Sequence, residues 1–336
     1  MGIELLRHIY FRIPVLIRLL LTILLVMVSF GILIHFVEPN QFPTFFDGIW
    51  WAFVTGATVG YGDYTPLSAT GRIIGILLML TGAGLITFYI SLFAASTIKY
   101  ERDLSEGIVS YKGSGHIICI GWNERTRKLI EMAFKVNSQL EIVLIDQSLG
   151  HLSYQHYPVH YIQGDPTEDI TLEKAKLKDA DQVIITADIT ESEPQADKYT
   201  ILSTVAIRGN NESIPIIAEI LTKRQIVNAQ RAGATTIIRP NDFISTLLYH
   251  ELFREEEAHP FESILSLLME QQFFQINLPT TMINNTFWNA VNYFKDERCM
   301  IIGLMRNDDW LINPAHDFIL EEKDSLIGIK SWEDIK

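Results

Sequence analysis

Thr58-Val59-Gly60-Tyr61-Gly62 is a short, glycine-containing stretch between two long apolar segments of this 336-residue sequence. It follows an apolar run at residues 50–55 and is followed directly by Asp63. Gly60 and Gly62 allow backbone angles that are closed to most L-residues, so successive carbonyl groups can turn toward one side of the chain. A glycine-rich turn of a soluble protein would also fit these five residues. The flanking segments distinguish the two interpretations.

The segments on either side of the pentapeptide are long enough to cross a membrane. Neither residues 19–37 nor residues 73–98 contain Lys, Arg, Asp or Glu. A helix needs roughly 20 apolar residues to span a bilayer. A signal peptide is the alternative for the first segment, but its apolar core is too long and no small-residue cleavage site follows. We therefore predict a multi-pass protein of the cell membrane with spans at 19–37 and 73–98.

Basic residues predict the orientation of these spans. Arg7, Arg12 and Arg18 precede the first span, and Lys99 and Arg102 follow the second. The connecting loop holds three acidic residues and only one arginine. By the positive-inside rule, both termini are expected in the cytoplasm.

A third apolar piece lies in the loop between the spans, at residues 45–57. It is too short to cross a bilayer and is typical of a re-entrant pore helix, whose carbonyl end attracts a cation. In this setting Thr58 to Gly62 resembles the selectivity filter of tetrameric K⁺ channels, where four copies surround the ion with backbone carbonyls. Thr58 can add a hydroxyl ring, while Val59 and Tyr61 point outward. The resemblance implies that the Trp50 indole donates a hydrogen bond to Asp63.

Gly82 and Gly84 interrupt the apolar helix of the second span. A glycine inside a helix costs about 1 kcal/mol relative to alanine, so both positions need a reason. Close helix packing and a gating bend are the alternatives. The resemblance to two-span channels with a glycine hinge favours a hinge at Gly82. Thr87 and Ser91 would then line the inner pore.

The sequence changes character after the second span. Residues 99–114 are polar and glycine-rich and are interpreted as a linker. Strand-like runs then alternate with helical runs, at residues 116–121, 141–146, 159–163, 182–186, 214–220 and 235–239. Alternation of this kind predicts a doubly wound parallel sheet, a Rossmann-like domain over residues 115–253. The charge-rich residues 254–260 lead into a small α+β lobe that extends to residue 336.

A dinucleotide site would be expected where the first strand ends. The fingerprint is Gly-x-Gly-x-x-Gly, with an acidic residue about 20 positions later for the ribose. Here Gly121 is the only one of the three glycines present, and Asn123 and Thr126 carry side chains where the pyrophosphate would approach. Asp146 closes the second strand. Tightly bound NAD is therefore disfavoured, and a loosely held adenosine-type ligand and an empty Rossmann fold both stay open.

The filter and four cytoplasmic motifs together resemble bacterial and archaeal K⁺ channels with an RCK domain (regulator of K⁺ conductance, also called KTN or TrkA-N). The motifs are GWNERT at 121–126, GDPT at 164–167, IAE at 217–219 and AGA at 232–234. Residues 300–306 resemble part of the accompanying C-terminal (TrkA-C) lobe. The resemblance implies a non-enzymatic, homotetrameric channel in the lipid bilayer, gated by an eight-domain RCK ring. It also adds Gly164 and Asp165 to the candidate nucleotide residues.

The resemblance does not identify the gating ligand. The family suggests a nucleotide (ATP, ADP, NAD(H) or a cyclic dinucleotide) or a divalent cation. Calcium needs several oxygen ligands, and calcium-gated relatives use carboxylates near the fourth and fifth strands. Glu219 matches the first acid of that motif, but Leu221 stands at the second, and Asp188 lies only nearby. The glutamates at 255–257 are a charge run in a linker and are interpreted as a solvated face.

Composition limits the remaining function classes. The net charge of −13 disfavours binding to nucleic acid. Cys119 and Cys299 lie in apolar runs without metal-site spacing, and the histidines at 151, 156 and 160 are interpreted as incidental. A membrane-anchored Rossmann oxidoreductase is one alternative, which the incomplete glycine motif disfavours. A nucleotide-binding sensor that does not conduct is another, which the complete pore segment disfavours.

Overall fold

The computed structural model describes residues 13–152, 157–253, 260–295, 299–307 and 309–331. Arg7, Arg12, His156 and the glutamates at 255–257 lie outside the described residues. The chain divides into two compact units, Met1–Pro240 and Asn241–Lys336. The division falls thirteen residues before the boundary expected from the sequence, at the start of a helix rather than at its end. Each unit is described by itself.

From residue 13 to the sheet, the structure describes three helices of unit one: α1 (Val15–Val37), α2 (Phe45–Gly56) and α3 (Ala69–Ser105). Thr44 and Asp47 form a reciprocal capping box at the start of α2. Such a box satisfies two backbone donors that a helix leaves unpaired. Helices α1 and α3 are each long and apolar enough to cross a membrane.

Helix α3 is longer than the predicted second span. Its 37 residues extend about 55 Å, well beyond the ~30 Å hydrocarbon core of a bilayer. The helix includes residues 99–105, which the sequence analysis assigned to a linker. No glycine or proline interrupts that stretch, and the Arg102 side chain bonds Glu106 at 2.7 Å with helical spacing. Residues 99–105 are therefore the polar end of a helix, and the linker assignment is wrong for them.

Small residues allow the three helices to approach closely. A Cβ added at Gly31 would lie 2.5 Å from Cα of Ile49, which places α1 directly against α2. The apolar contacts around this crossing are fully buried and include Met27, Ile34, Phe42 and Leu78.

A parallel six-stranded sheet forms the rest of unit one, as the sequence predicts. Its strands are β1 (His116–Ile120), β2 (Ile142–Asp146), β3 (His160–Gln163), β4 (Ala180–Ile185), β5 (Ile216–Glu219) and β6 (Thr236–Ile238). They lie in the order β3-β2-β1-β4-β5-β6, the arrangement of a Rossmann fold. The connecting helices are α4 (Glu124–Val136), α5 (Asp169–Lys174), α6 (Glu193–Asn210) and α7 (Ile226–Ala232).

Unit two is the predicted small α+β lobe. Its helices are α8 (Pro240–Leu252), which begins one residue earlier, α9 (Pro260–Glu270) and α10 (Phe287–Lys295). Its strands β7 (Gln271–Asn277), β8 (Met300–Arg306), β9 (Asp309–Ile312) and β10 (Ser325–Ser331) form an antiparallel sheet in the order β7-β10-β8-β9. Asp324 is buried, and the Arg306 guanidinium donates hydrogen bonds to both of its carboxylate oxygens, at 2.8 and 2.7 Å. Helix α8 has no buried residue.

Candidate pore and regulatory sites

The pentapeptide after α2 has an alternating backbone. Thr58, Gly60 and Gly62 have φ of 62°, 63° and 77°, whereas Val59 and Tyr61 between them do not have positive φ. Alternation between the two hands aims successive backbone groups to one side of the chain. A Cβ added at either glycine would meet nothing within 4 Å, so backbone conformation rather than crowding within this chain requires glycine there. At Thr58 the same conformation is strained, because positive φ is rare for a β-branched residue.

Helix α2 supports this loop from its carbonyl end. The amides of Val59 and Gly60 both donate to the carbonyl of Val54, at 3.0 and 3.1 Å. The Trp50 indole nitrogen donates to Asp63 at 2.8 Å, which is the pairing that the sequence analysis expects. The Trp50 ring also stacks on Tyr61, with ring planes 9° apart.

The segment that follows the pentapeptide is tied down by a residue that the sequence analysis missed. Glu38, just after α1, accepts hydrogen bonds from the amides of Leu67 and Ser68, each at 2.9 Å, and from the Ser68 hydroxyl at 2.5 Å. Its carboxylate is buried. The only sequence signal was an acidic residue at the exact end of an apolar span, which is also typical of an ordinary helix terminus.

Gly82 and Gly84 differ in their surroundings. A Cβ added at Gly82 would lie 2.9 Å from Cε of Met27 and 3.0 Å from Cα of Gly56, so this glycine permits α3 to pack against the end of α2. A Cβ added at Gly84 would meet nothing within 4 Å. The helix runs through both positions without interruption. The structure therefore gives Gly82 a packing reason, and a hinge stays a prediction.

Thr87 and Ser91 are both exposed on α3 in the single chain. Together with exposed Gly84, they follow helical spacing along one side of the helix. This is the placement that pore-lining side chains would need, and their role stays a prediction.

A small cleft of about 140 Å³ lies where β1, β2 and β4 end. Its lining includes Gly121, Asn123 and Asp146 of the candidate nucleotide residues, as well as Asp188. Gly121 has a φ of +92°, and a Cβ there would lie 2.7 Å from the Thr186 hydroxyl. The crevice at this point of the strand order is the usual ligand position of such sheets.

Asn123 occupies the place where a pyrophosphate would bind. Its side-chain oxygen accepts the amides of Arg125 and Thr126, at 2.9 and 3.1 Å, and so caps α4. Its side-chain nitrogen donates to the Thr186 hydroxyl at 3.1 Å. Dinucleotide folds leave these helix amides available for phosphate. The arrangement therefore does not fit a pyrophosphate bound as in the dinucleotide fingerprint.

Asp146 is also engaged by its own neighbours. One carboxylate oxygen accepts the amide and hydroxyl of Ser148 and the amide of Leu149, each at 2.8 Å. The other accepts the Trp122 amide at 2.7 Å. Three of these four donors share one oxygen, so the other oxygen, which accepts only the Trp122 amide among them, keeps an acceptor position that a ribose hydroxyl could use.

Gly164 and Asp165 lie beside the cleft without lining it. Asp165 accepts the amide and hydroxyl of Thr167, at 2.9 and 2.8 Å, in a local turn. It also accepts the hydroxyl of Tyr199, which does line the cleft. Burial, with the nearby Asp165 charge, raises the pKa of Tyr199. Tyr199 is an aromatic residue of the cleft that sequence analysis missed, because α6 carries no motif that marks it.

Glu219 faces an arginine in this chain. Its carboxylate pairs with Arg125 at 3.0 Å and accepts the Ala187 amide at 2.7 Å. Burial raises the pKa of Glu219, and these two partners only partly oppose it. Asp188 instead accepts the amide and hydroxyl of Thr190. In the part of the chain that the structure describes, no cluster of three or more His, Cys, Asp or Glu could hold a metal ion.

The fold and the two sites define a class: an ion channel with a Rossmann-type regulatory domain. Residues 21–99 match the family model for an ion channel, and residues 117–240 match that for a TrkA-N domain. The chain belongs to the family of potassium channels that carry RCK domains. It is 36% identical to YugO of Bacillus subtilis, a protein named as a potassium channel, over 95% of this chain and 97% of that one.

Two further proteins are similar to this chain. The calcium-gated potassium channel TvoK of Thermoplasma volcanium is 29% identical over 71% of this chain and 68% of its own. The solved GsuK channel superposes with a TM-score of 0.53 at 19% identity, over 96% of this chain, which spans 58% of the GsuK chain. A GsuK structure bound to NAD has a TM-score of 0.50, also at 19% identity, over 95% of this chain and 57% of that one.

Proposed function

We propose that four copies of this chain form a potassium-selective pore, with Thr58 to Gly62 as its filter and both termini in the cytoplasm. The alternating left-handed backbone at Thr58, Gly60 and Gly62 is the observation that carries this proposal. It turns carbonyl groups to one side at the carbonyl end of α2, where four such ends would attract a cation. The hydrogen bond from Trp50 in α2 to Asp63 holds the end of the filter loop against the helix.

Ion flux tests the filter. Full-length protein in liposomes should pass K⁺ and Rb⁺ and largely exclude Na⁺, and equal Na⁺ flux would contradict selectivity. Gly60→Ala is the sharpest variant, because a Cβ disfavours a left-handed residue by about 1–2 kcal/mol. That variant should still assemble, by size-exclusion chromatography, but lose K⁺ flux or selectivity.

The cytoplasmic domains would form the gating ring. Four chains supply four RCK domains, so the eight-domain ring of the family needs four further copies. Helix α8 supports self-association, since it carries exposed apolar side chains at Phe243, Ile244, Leu248 and Tyr249. Apolar surface of this extent is typical of an interface. Mass measurement of the intact assembly distinguishes a tetramer from a tetramer with added RCK copies.

For the gating ligand, we propose an adenosine-type nucleotide in the cleft beside Asp146 and Tyr199. The NAD-bound GsuK structure supports the nucleotide class, and the Asn123 cap argues against a phosphate at the start of α4. A divalent cation is the second candidate. The similarity to TvoK, a calcium-gated potassium channel, supports it. The ion pair between Arg125 and Glu219 argues against that cation at Glu219.

Thermal shift of the full-length protein tests the ligand. Candidates are ATP, ADP, NAD(H), cyclic dinucleotides, Ca²⁺ and Mg²⁺. A ligand at a hundred times its Kd stabilises the folded state by about 2.7 kcal/mol. Tyr199→Ala should reduce a nucleotide shift, whereas Glu219→Gln should reduce a calcium shift. If no candidate shifts the transition, ligand binding at this cleft loses its support. Turnover of NADH by the same protein would favour the oxidoreductase alternative.

A further inference from the structure

The cleft at the ends of β1, β2 and β4 is lined by acidic rather than basic side chains. Asp146 and Asp188 belong to the lining, and in the part of the chain that the structure describes no lysine, arginine or histidine joins them. Asp146 is buried and Asp188 is half-buried. Negative charges in a partly enclosed site repel an anion more strongly than they would in open water. The lining therefore favours a ligand, or a part of a ligand, that carries no negative charge.

The basic side chains at the start of α4 face carboxylates of this chain. Arg125 pairs with Glu219 at 3.0 Å. Arg127 donates to Glu124 at 2.9 Å, and the Lys128 ammonium lies 3.9 Å from the same carboxylate. A phosphate at the mouth of the cleft would have to draw one of these cations away from a carboxylate, and charge-assisted bonds of that kind are strong. These side chains are therefore poorly suited to compensate a phosphate.

The backbone donors at the start of α4 are occupied as well. The Asn123 side-chain oxygen accepts the amides of Arg125 and Thr126, at 2.9 and 3.1 Å. Its side-chain nitrogen donates to the Thr186 hydroxyl at 3.1 Å and to the carbonyl of Ala187 at 3.3 Å. Where helix amides bind a ligand, a phosphate oxygen accepts such bonds and brings a negative charge. The amide oxygen of Asn123 accepts them here without a charge.

The remaining lining suits a nucleoside. Trp122 and Tyr199 are aromatic residues of the lining, and Ile145 and Pro166 add apolar surface to it. Aromatic side chains stack on the faces of bases. The Asp146 oxygen that accepts the Trp122 amide keeps a position for a ribose hydroxyl. The cleft volume of about 140 Å³ is small beside the roughly 300–1,000 Å³ of pockets that enclose drug-sized ligands, so only part of a nucleotide would be enclosed.

We propose that this cleft recognises the uncharged nucleoside part of its ligand and excludes the phosphates, so that adenosine binds more tightly than AMP, ADP or ATP. The inference rests on the adenosine-type ligand proposed above and states which part of that ligand is bound. A terminal phosphate carries about two negative charges near pH 7. Those charges would lie near Asp146 and Asp188, while Asn123 holds the helix amides that could compensate them. Asn123 is the specificity-determining residue of the cleft.

Calorimetric titration of the full-length protein with adenosine, AMP, ADP and ATP, without divalent cations, tests this order. We expect the Kd to rise by about threefold or more with each phosphate, because each adds Coulomb repulsion. The Debye length falls from about 30 Å at 0.01 M salt to about 10 Å at 0.1 M. Added KCl should therefore tighten the binding of ATP and leave that of adenosine unchanged. A site that held phosphate with basic side chains would show the opposite salt dependence.

Single variants test the residues, with the ratio of the ADP Kd to the adenosine Kd as the readout. Asn123→Gly frees the amides of Arg125 and Thr126, and glycine is tolerated at the start of a helix. It should lower the ratio by about fivefold or more. Asp188→Asn removes a charge but keeps an acceptor oxygen, and should lower the ratio by about threefold. Asp181→Asn is the matched control, because this exposed residue lies near the opposite end of β4. It should leave the ratio unchanged.

Tighter binding of ADP or ATP than of adenosine would overturn the inference and leave the proposed nucleotide ligand in place. An unchanged ratio in Asn123→Gly would also overturn it, since the helix amides would then play no part in the selection. If neither adenosine nor any of the nucleotides binds, the proposed ligand fails together with the inference. Spermidine provides a further comparison, because binding of spermidine without adenosine would overturn both and assign the acidic cleft to an organic cation.

Discussion

At the scale of single residues, Asp63 joins two structures behind the pentapeptide. One carboxylate oxygen accepts the Trp50 indole at 2.8 Å, and the other accepts the Tyr64 amide at 3.0 Å. We expect Trp50→Phe to keep a ring beside Tyr61 but to lose a bond of about 1 kcal/mol. The variant should show a larger Na⁺ flux or shorter open periods. Asp63→Asn keeps an acceptor and is the matched control, with a smaller expected effect. Unchanged flux in Trp50→Phe would contradict a bracing role.

Glu38 offers a second residue-scale prediction. Its carboxylate satisfies the amides of Leu67 and Ser68 and the Ser68 hydroxyl. Glu38→Ala leaves these donors unpaired, and a buried unpaired donor costs about 1–3 kcal/mol. We expect a lower thermal midpoint of the full-length protein. Glu38→Gln retains one acceptor oxygen, so its thermal midpoint should lie between those of the parent protein and Glu38→Ala. Equal midpoints for all three proteins would show that the Glu38 contacts contribute nothing to stability.

The two residue pairs differ in how far sequence could predict them. Trp50 and Asp63 are close in the sequence, separated by the end of one helix and the pentapeptide loop. Their spacing and the resemblance to K⁺ channels were therefore enough to predict the hydrogen bond between them. Arg125 and Glu219 meet only because β1 and β5 lie on either side of β4 in the sheet. Nothing near Glu219 in the sequence indicates which arginine it meets. Long-range pairing of this kind depends on topology.

At the scale of elements, the strands were predictable because alternation of apolar runs with helical runs marks a doubly wound sheet. Each predicted strand overlaps an observed one. The end of α3 was not predictable in this way, since residues 99–105 are polar and lie on the helix beyond the predicted span. A linker and a solvated helix have similar composition there, and the bond from the Gln163 amide of β3 to the carbonyl of Gly107 gives no local signal.

Gly82 and Gly84 provide a matched pair at this scale. Gly82→Ala would force a methyl group to within 3.0 Å of the Gly56 backbone, and overpacking of this kind costs about 1–3 kcal/mol. Gly84→Ala meets no neighbour within the chain and should gain up to about 1 kcal/mol of helix propensity. Thermal unfolding of the full-length protein should therefore fall for the first variant and not for the second. The opposite order would favour a contact for Gly84 in the assembled pore.

At the scale of the whole molecule, two histidines lie where the chain from α3 joins the six-stranded sheet. His116 is fully buried, and His160 bonds the carbonyl of Val109, in the chain between α3 and β1, through Nε2. The pKa of each is held below its ordinary value of 6.5, mainly because burial disfavours the charged imidazole. Near His116, the negative charges of Glu141, Asp181 and Asp179 oppose that effect without reversing it.

The sign of the resulting pH dependence follows from proton binding. Below about pH 6.5 the unfolded chain takes up protons at these histidines more readily than the folded chain does, so stability falls as pH is lowered. Above that value both states hold neutral imidazoles, and these two groups contribute no slope. We expect the thermal midpoint of the full-length protein to drop across this window. His160→Gln, which cannot titrate but can still donate to Val109, should show a smaller drop. An equal drop in both proteins would assign the slope to other groups and leave His160 with its bond to Val109 alone.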